Sequence, residues 1–526
     1  MNSKFAPSNP SLTQSNQQLT KTAIPPNKTN LAQLSDRASV PQYDRDRVTN
    51  GIVHIGVGGF HRAHQALYLD DYIEHEQRGN NNRGSSWGIC GVGLSNDTKK
   101  RDILHDQDCL YTLIERSPEQ DTARIIGSIT RYLMAPENPQ AVIDVLAGEE
   151  CRIVTLTITE GGYFVIEGTG EFDAQHPTIQ HDLQHPDRPK GVYGFLTAAL
   201  KQRRDNNLPP FTVLSCDNVQ GNGRVLGKML IAFAKLQSPD LGAWIERNVA
   251  FPNSMVDRIT PATTPDEIQM VEDKFGIEDA WPVVAEPFNQ WVIEDKFCAG
   301  RPDWEAVGVQ MTDDVHPYEL AKLRLLNAGH SLLGFLGSLL GYTYTSEAMK
   351  YEPIRRAIKG LMDEVTPTLS PLPGVDIEEY KQTLIERFAN PKVSDRLSRL
   401  CLNSSDKLPK FIFGSLRDKL KQDGSIDYLS FTIALWFRYL QGVDEQGKSL
   451  SIEDSRADLL VERARIAGSD PQPLLDLEEV FGDLAQSPHF VETVTKYQGE
   501  IDRLGTNVAL LQFLEKTQKS LILEDK

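Results

Sequence analysis

A doubly wound α/β half followed by a mostly helical half is the fold class this sequence predicts, on two observations. From Gly51 short apolar runs alternate with helical patterns, and past about Met311 the strand-like runs nearly vanish while helical periodicity continues. Four runs read as buried strands: IVHIGVG (52–58), WGICGVGL (87–94), RIVTLTIT (152–159) and FTVLSCD (211–217). Each is largely β-branched or apolar and is bounded by Gly, Pro or polar residues. Helical stretches such as HQALYLDDYIEH and residues 193–203 lie between them. Strands alternating with helices argue for a mostly parallel sheet. In the second half YELAKLRLLNAGHSLLGFLGSLLGY, EPIRRAIKGLMDEV, IEEYKQTLIERF and DYLSFTIALWFRYLQGV all carry helical periodicity, and no internal repeat is evident.

Composition narrows the class further. At 526 residues the chain is too long for one ordinary core. Hydrophobic content of 40% with 24% charged residues describes a globular protein with ample core material. The formal charge of −18 argues against sequence-independent nucleic-acid binding, which needs a basic face. No stretch reaches the ~18–20 apolar residues of a membrane span. The most apolar one, 325–342, is interrupted by Asn327, His330 and Ser331. Six scattered cysteines without a CxxC pair suit free thiols in a reducing compartment, so a cytoplasmic location is expected. Residues 1–45 are rich in Ser, Asn, Gln, Pro and Thr and have neither an apolar signal core nor a basic amphipathic face, and are expected to form a disordered tail.

Gly56, Gly58 and Gly59 stand where the first strand ends and a helix near residues 60–64 should begin. Glycines there permit a tight turn and close approach of a pyrophosphate to the backbone of Ile55, Gly56, Val57, Gly58, Gly59 and Phe60. The spacing departs from G-x-G-x-x-G, because His61 holds the third glycine position; Arg62 is expected to add a phosphate contact. The α/β half is therefore expected to be a Rossmann-like dinucleotide-binding domain over 46–312, with a helical substrate and catalytic domain over 313–526. An acid that reads the ribose should follow the second strand. Ser95 and Asn96 stand there, Asp97 is one place late, and Lys99, Lys100 and Arg101 suit either a 2′-phosphate or a solvated helix start. NAD and NADP both stay open on these residues. Two imidazoles at i and i+3, His61 and His64, with no third ligand make a poor metal site, and no metal is expected.

The segment YELAKLRLLNAGHSLLGFLG places three polar residues on a mostly apolar helix. At ~100° per residue Lys322, Asn327 and His330 fall in one sector. Burying them costs several kcal/mol unless each is partnered. They form either an internal hydrogen-bond network or the lining of a cleft, where a desolvated lysine serves as general acid/base. Asp217 and Asn218 follow the fourth strand, at the carboxyl edge where open α/β sheets bind ligands. Glu160 follows the third strand in the same way. Asp257 and Arg258 lie in NSMVDRITPATT. Ordinary turn chemistry is the alternative for these loop residues.

Together GIVHIGVGGFHRAHQALYLDD, ICGVGL, TEGGY, SCDNVQGNG, NSMVDRITP, VAEPFNQWVIED and the K-x4-N-x2-H of KLRLLNAGH resemble the mannitol dehydrogenase family, the polyol-specific long-chain dehydrogenases/reductases. The blocks span residues 51–330, and the helical remainder is compatible with the family to about Val443. The resemblance implies metal-independent interconversion of D-mannitol and D-fructose by hydride transfer at C2, with NAD the expected cofactor and NADP not excluded. It implies Lys322 as general acid/base, Asn218 and Asn327 as donors to the developing alkoxide, and His330 as an orienting contact to a substrate hydroxyl. Glu319 would gate proton exchange with the lysine, and Asp257, Arg399 and Lys407 would bind the polyol. Cofactor contacts would come from residues 55–62 together with Asn96 and Glu160. The family's NAD-preferring members carry acids near Ser95 and Asn96, which are absent here. Alternatives are reductases or dehydrogenases of fructuronate, arabinitol or mannitol 1-phosphate, or a catalytically silent dinucleotide-binding sensor. The expected partner is a small polyol or ketose, with no nucleic acid and no membrane, on a monomer or small homo-oligomer.

Overall fold

The computed structural model describes residues 22–79, 82–166, 168–393 and 395–524. The chain divides into two compact units, residues 1–315 and 316–526.

The first unit is built on a five-stranded sheet of β1 (Ile52–Ile55), β2 (Ile89–Gly93), β5 (Ile129–Met134), β6 (Ile153–Leu156) and β7 (Thr212–Ser215). Their order is β5-β2-β1-β6-β7, and every pairing is parallel. The four runs expected as strands form β1, β2, β6 and β7, because parallel strands are covered on both faces and read as unbroken apolar runs, whereas β5, broken by the exposed Arg131, was not anticipated. Alternate residues point to opposite faces. Val53, Ile55, Val92, Val154 and Val213 pack with the Pro139–Ala147, Val192–Asp205 and Asn222–Gln237 helices. Ile52, Ile89, Ile153 and Leu214 face the Gln65–Arg78 helix on the other side. From the central β1 the chain moves out through β2 and β5, then returns to start β6 on β1's other side. The switch point, where such sheets bind dinucleotides, therefore lies between the carboxyl ends of β1 and β6.

Two three-stranded sheets complete the unit and were not evident in the sequence. One joins β3 (Tyr111–Arg116), β4 (Asp121–Ile126) and β9 (Val283–Ala285), and the other joins β8 (Ser254–Asp257), β10 (Gln290–Glu294) and β11 (Gln310–Thr312). Each mixes parallel and antiparallel pairing.

The tail expected over residues 1–45 requires correction. Residues 1–21 lie outside the described residues, but from Thr22 the chain is ordered on the first unit. Ile24 bridges Ile277, Leu34 is fully buried, and the Tyr43 hydroxyl donates to Asp70 at 2.6 Å. Arg45 is buried and donates to the Gly127 and Ile129 carbonyls at 3.0 and 2.8 Å. A few anchors with partners up to 253 residues away hold a segment whose composition reads as disordered.

The second unit is helical. Its Glu352–Val365 helix starts with Pro353 in its first turn, where the missing N–H costs nothing, and buries Ile354, Ala357, Ile358, Leu361 and Val365 along one stripe. Gly360 on this helix lets Tyr428 pack close, since a Cβ would lie 2.1 Å from the Tyr428 ring. Glu364 caps the neighbouring Asp427–Tyr439 helix across space: its carboxylate accepts from the Tyr428 and Leu429 amides at 3.1 and 2.9 Å and from the Ser425 hydroxyl at 2.9 Å. The carboxylate thereby satisfies N–H groups that every helix start leaves orphaned. Burial nevertheless pushes the Glu364 carboxyl up to about 7. A folded-state value above the unfolded one means the folded chain binds the proton more tightly, so this contribution is full at low pH and is lost as pH rises through that window. We expect the difference in Tm between Glu364→Gln and wild type to move in the variant's favour as pH rises from about 4.5 to about 7. A difference independent of pH, followed by thermal melts across that range, would show that Glu364 is not perturbed.

Candidate active site

The turn after β1 is fixed by Gly56. Its φ is +101°, and a Cβ there would lie 2.0 Å from the Thr157 carbonyl oxygen, so no side chain fits. Gly58 and Gly59 act differently. A Cβ on Gly58 would meet only the Gly56 carbonyl at 3.7 Å, and one on Gly59 only Thr260 and Val283 at 3.8 and 3.9 Å. They leave the face of the turn open, as close approach of a pyrophosphate requires. Gly58 caps the short Gly59–Ala63 helix, and after a break at His64 the chain continues as Gln65–Arg78. A glycine cradle at the switch point fits a dinucleotide.

A buried polar relay braces this turn from below. The Thr157 hydroxyl donates to the Gly56 carbonyl at 2.7 Å, which leaves its oxygen to accept from His54 Nε2 at 3.0 Å. Burial pulls the His54 imidazole down to about 3, so it is neutral, and Nδ1 faces the Thr155 hydroxyl at 2.8 Å. Thr155 in turn lies 3.0 Å from the Gln65 side-chain amide. Sequence reasoning missed His54, Thr155 and Thr157, although polar residues inside otherwise apolar strands were the available signal. Thr157→Val removes the hydroxyl, a loss of about 1–3 kcal/mol if the buried partners stay unpaired. It is expected to lower Tm and raise the dissociation constant for NAD, and calorimetry showing unchanged binding would contradict the bracing role.

Two members of the expected cofactor set have fully buried side chains. Arg62, expected at the phosphates, is fully buried, with its guanidinium 3.7 Å over the Trp281 ring and donating to the Trp281 carbonyl. Tyr111 packs 5.0 Å from it and donates to the Arg62 carbonyl. Burial draws this guanidinium down to about 10. His61 is buried and stacks on His54 at 3.4 Å and 9°; burial, then the neighbouring His54 and Arg62, hold it well below the usual histidine range. Both residues support the turn from inside. Ile55 and Val57 are also buried, so only their backbone is offered to a ligand, whereas Gly56, Gly58, Gly59 and Phe60 are partly exposed. His64 packs its ring on Phe60 and bonds the Gln290 carbonyl at 2.8 Å.

After β2, Ser95 and Asn96 are exposed. Asp97 is the N-cap of the Thr98–Asp106 helix, accepting from the Lys100 amide at 3.3 Å and pairing with the Lys100 ammonium at 3.2 Å. Arg101 pairs with Asp102 and Glu137. Two of the three cations that suited a 2′-phosphate thus already have carboxylate partners.

The loops after β6 and β7 meet at one carboxylate. Asp217 accepts from the amides of Ile158 and Thr159, both at 3.0 Å, and from the Tyr163 hydroxyl at 2.8 Å. Burial raises its carboxyl above the usual range despite these donors. Glu160 and Asn218, the residues flanking this contact, are exposed. Asp257 ends β8 and is buried; its neighbour Arg258 donates to the Ala63 and Glu286 carbonyls and pairs with Glu115.

In the second unit the helix bearing the polar residues is not regular. A six-residue π segment, Lys322–Asn327, interrupts it between His316–Ala321 and Ala328–Leu339. The uniform 100° spacing expected for Lys322, Asn327 and His330 therefore does not hold, because a π turn closes i→i+5 bonds. Such segments are rare and recur at functional sites. Arg324 anchors this one, donating to the Thr368 carbonyl at 2.9 Å and pairing with Asp418 at 2.7 Å. Lys322, Asn327 and His330 are half-buried rather than enclosed, while Glu319 is buried with His316 3.8 Å from its carboxylate. The His330 ring packs on Phe388 at 4.4 Å. Arg399 is exposed and is gripped by Asp395 through two bonds of 2.6 and 2.5 Å, which keep its guanidinium charged. Lys407 is half-buried; burial, then the neighbouring Arg399, lower its ammonium below the usual lysine range.

A Rossmann-type unit with a glycine cradle at its switch point, joined in sequence to a helical unit whose interrupted helix carries Lys322, Asn327 and His330, defines the class as a dinucleotide-binding oxidoreductase. Comparison with known proteins takes this to a family. Residues 50–306 match the family model for the mannitol dehydrogenase Rossmann domain and residues 314–502 that for the mannitol dehydrogenase C-terminal domain. The chain is 45% identical over 502 residues to a mannitol 2-dehydrogenase of Aspergillus terreus, covering 93% of this chain and 99% of that protein. A mannitol dehydrogenase of Saccharomyces cerevisiae is 46% identical over 501 residues, covering 94% and 98%. Among solved structures, Pseudomonas fluorescens mannitol 2-dehydrogenase, in a ternary complex with NAD and D-mannitol, superposes with a TM-score of 0.81 at 46% identity, covering 94% of this chain and all of that one. A D-sorbitol dehydrogenase in substrate-free form gives a TM-score of 0.86 at 35% identity, covering 93% and 100%. The chain belongs to the mannitol dehydrogenase family. Among the described residues no helix is long and apolar enough to cross a membrane.

Proposed function

We propose that this protein catalyses the reversible NAD-dependent oxidation of D-mannitol to D-fructose, using its α/β domain for the cofactor and its helical domain for the chemistry. The observation that carries this reading is the Lys322, Asn327 and His330 set on an interrupted helix, in a chain 46% identical to an enzyme solved with NAD and D-mannitol. Bound NAD supplies the hydride acceptor. The turn of Gly56, Gly58 and Gly59 holds its pyrophosphate, with Phe60, Asn96 and Glu160 as further contacts. Lys322 in its amine form takes the proton from the C2 hydroxyl, and Glu319 passes that proton on towards solvent. Asn218 and Asn327 serve as candidate donors to the oxygen as negative charge builds on it. His330 orients the substrate through a hydroxyl, and Asp257, Arg399 and Lys407 are the candidate contacts to its other hydroxyls. In the reverse direction Lys322 returns the proton to the fructose C2 oxygen.

Two observations refine the reading. The pairing of Lys100 and Arg101 with carboxylates supports NAD over NADP, since a 2′-phosphate calls for uncommitted cations. The Asp395 grip on Arg399 supports a neutral polyol over a hexuronate or a phosphorylated sugar. The six unpaired cysteines suit action in the cytoplasm. D-mannitol deuterated at C2 and at its symmetry-equivalent C5 tests the chemistry. The reading expects deuterium in the NADH formed and a slowed hydride-transfer step; unlabelled NADH would overturn it.

A further inference from the structure

We propose that Asp217 is a positioning residue whose carboxylate clamps the loop after β6, and so fixes Glu160 and Asn218 for the cofactor and substrate. The proposal rests on the reading of those two residues given above.

Thr159 has a φ of +60° and a ψ of 170°. This left-handed extended region is used almost only by glycine, and a β-branched residue enters it only where the surroundings over-determine it. What over-determines it is visible. The amides of Ile158 and Thr159 both point at Asp217, the first to Oδ2 and the second to Oδ1, each at 3.0 Å. Tyr163, four residues along the same loop, closes the grip by donating to Oδ2 at 2.8 Å and lying 2.5 Å from the Ser215 hydroxyl. Between these holds lies the one-turn segment Glu160–Tyr163, with Glu160 first in it. One carboxylate therefore satisfies three donors of a single loop and holds a backbone conformation the sequence would not adopt alone.

Asp217 is itself anchored. Its amide donates to Ser215 Oγ at 3.2 Å, and its carbonyl accepts from Asn222 Nδ2 at 3.1 Å. The same Asn222 nitrogen donates to the Ser254 carbonyl at 2.9 Å, where β8 starts towards Asp257. Asn222 is fully buried, so this node joins the ends of β6 and β7 to the start of β8. Asn218 is the next residue after the node. A charge-assisted clamp of this kind specifies position, and a displacement of about 1 Å at a reacting centre can cost about 10²-fold in rate.

Replacing Asp217 by Asn keeps the shape but presents one acceptor oxygen where two were used. The carboxamide cannot accept from both loop amides in this geometry, and the strained loop relaxes. Thr159→Gly makes the same φ and ψ favourable without a clamp. The test compares kcat, KM and the NAD dissociation constant of wild type, Asp217→Asn, Thr159→Gly and the double variant, with thermal melts as a fold check. The clamp predicts that Asp217→Asn loses about 10–100-fold in kcat/KM and binds NAD more weakly. It predicts that Thr159→Gly restores most of both losses in the double variant. Wild-type kinetics in Asp217→Asn, or no recovery in the double variant, overturns it. The NAD dissociation constant separates this proposal from the substrate assignment: a protein inactive on polyols would still show the loss and recovery of NAD binding if the clamp is real. Hydrogen exchange on the unmutated protein gives a second test should Asp217→Asn not fold. Slow exchange of the Ile158 and Thr159 amides, on a residue pair whose second member is exposed, supports the clamp, and fast exchange overturns it.

Discussion

Lys322→Ala is expected to lower kcat/KM for D-mannitol by about 10²–10⁴-fold, as removal of the proposed general base would, while NAD binds as in wild type. The asymmetry follows from where the two functions are assigned. The glycine cradle follows β1, and Lys322 lies on the interrupted helix of the second unit and is assigned to proton transfer alone. The lost rate should be concentrated in kcat, because proton transfer is needed only as the C2 oxygen gives up its hydrogen. The pH dependence should change as well, with the limb reporting Lys322 deprotonation disappearing from the kcat/KM profile. Full activity in this variant, or equal losses of activity and NAD affinity, would exclude Lys322 as the base.

Gly56→Ala is expected to be the most damaging single substitution for cofactor binding. The new methyl would lie 2.0 Å from the Thr157 carbonyl oxygen, and alanine at φ +101° is strained even in open space. Backbone strain of that kind costs about 1–3 kcal/mol before the clash is counted. Relief requires β1 and β6 to separate at their carboxyl ends or the turn to change shape, and either displaces the backbone N–H groups that would meet the pyrophosphate. The NAD dissociation constant should rise by about 10-fold or more. Gly58→Ala provides the contrast, since its Cβ would have only the Gly56 carbonyl near it, at 3.7 Å. If Gly56→Ala bound NAD normally, the turn would have no role in holding the cofactor.

What could be read in the sequence depended on how local the signal was. Four of the five strands of the parallel sheet were legible because double-sided burial writes a continuous apolar run, and the glycines marked the turn after β1. The glycine positions alone did not reveal that only Gly56 is sterically required. Arg62 was read as a phosphate ligand because an arginine beside a glycine turn is a reasonable one. Its actual partner, Trp281, lies 219 residues away and leaves no local trace. The segment from Thr22 to Asp44 was misread for the same reason, since its order depends on a few distant anchors. The π segment at Lys322–Asn327 was invisible to a wheel drawn at constant angle; the residue types were informative, their angular spacing was not. Asp217 passed for an ordinary turn residue, because nothing in SCDN announces that two amides 58 or 59 residues earlier converge on it.

Side-by-side initial rates test the central claim most directly. NAD reduction is followed with D-mannitol, D-sorbitol, D-arabinitol and mannitol 1-phosphate, and NADH oxidation with fructose, fructose 6-phosphate and fructuronate, each repeated with NADP(H). The highest kcat/KM should fall on D-mannitol and fructose with NAD(H). Faster turnover of fructuronate or a phosphorylated sugar, or a preference for NADP(H), would contradict the account.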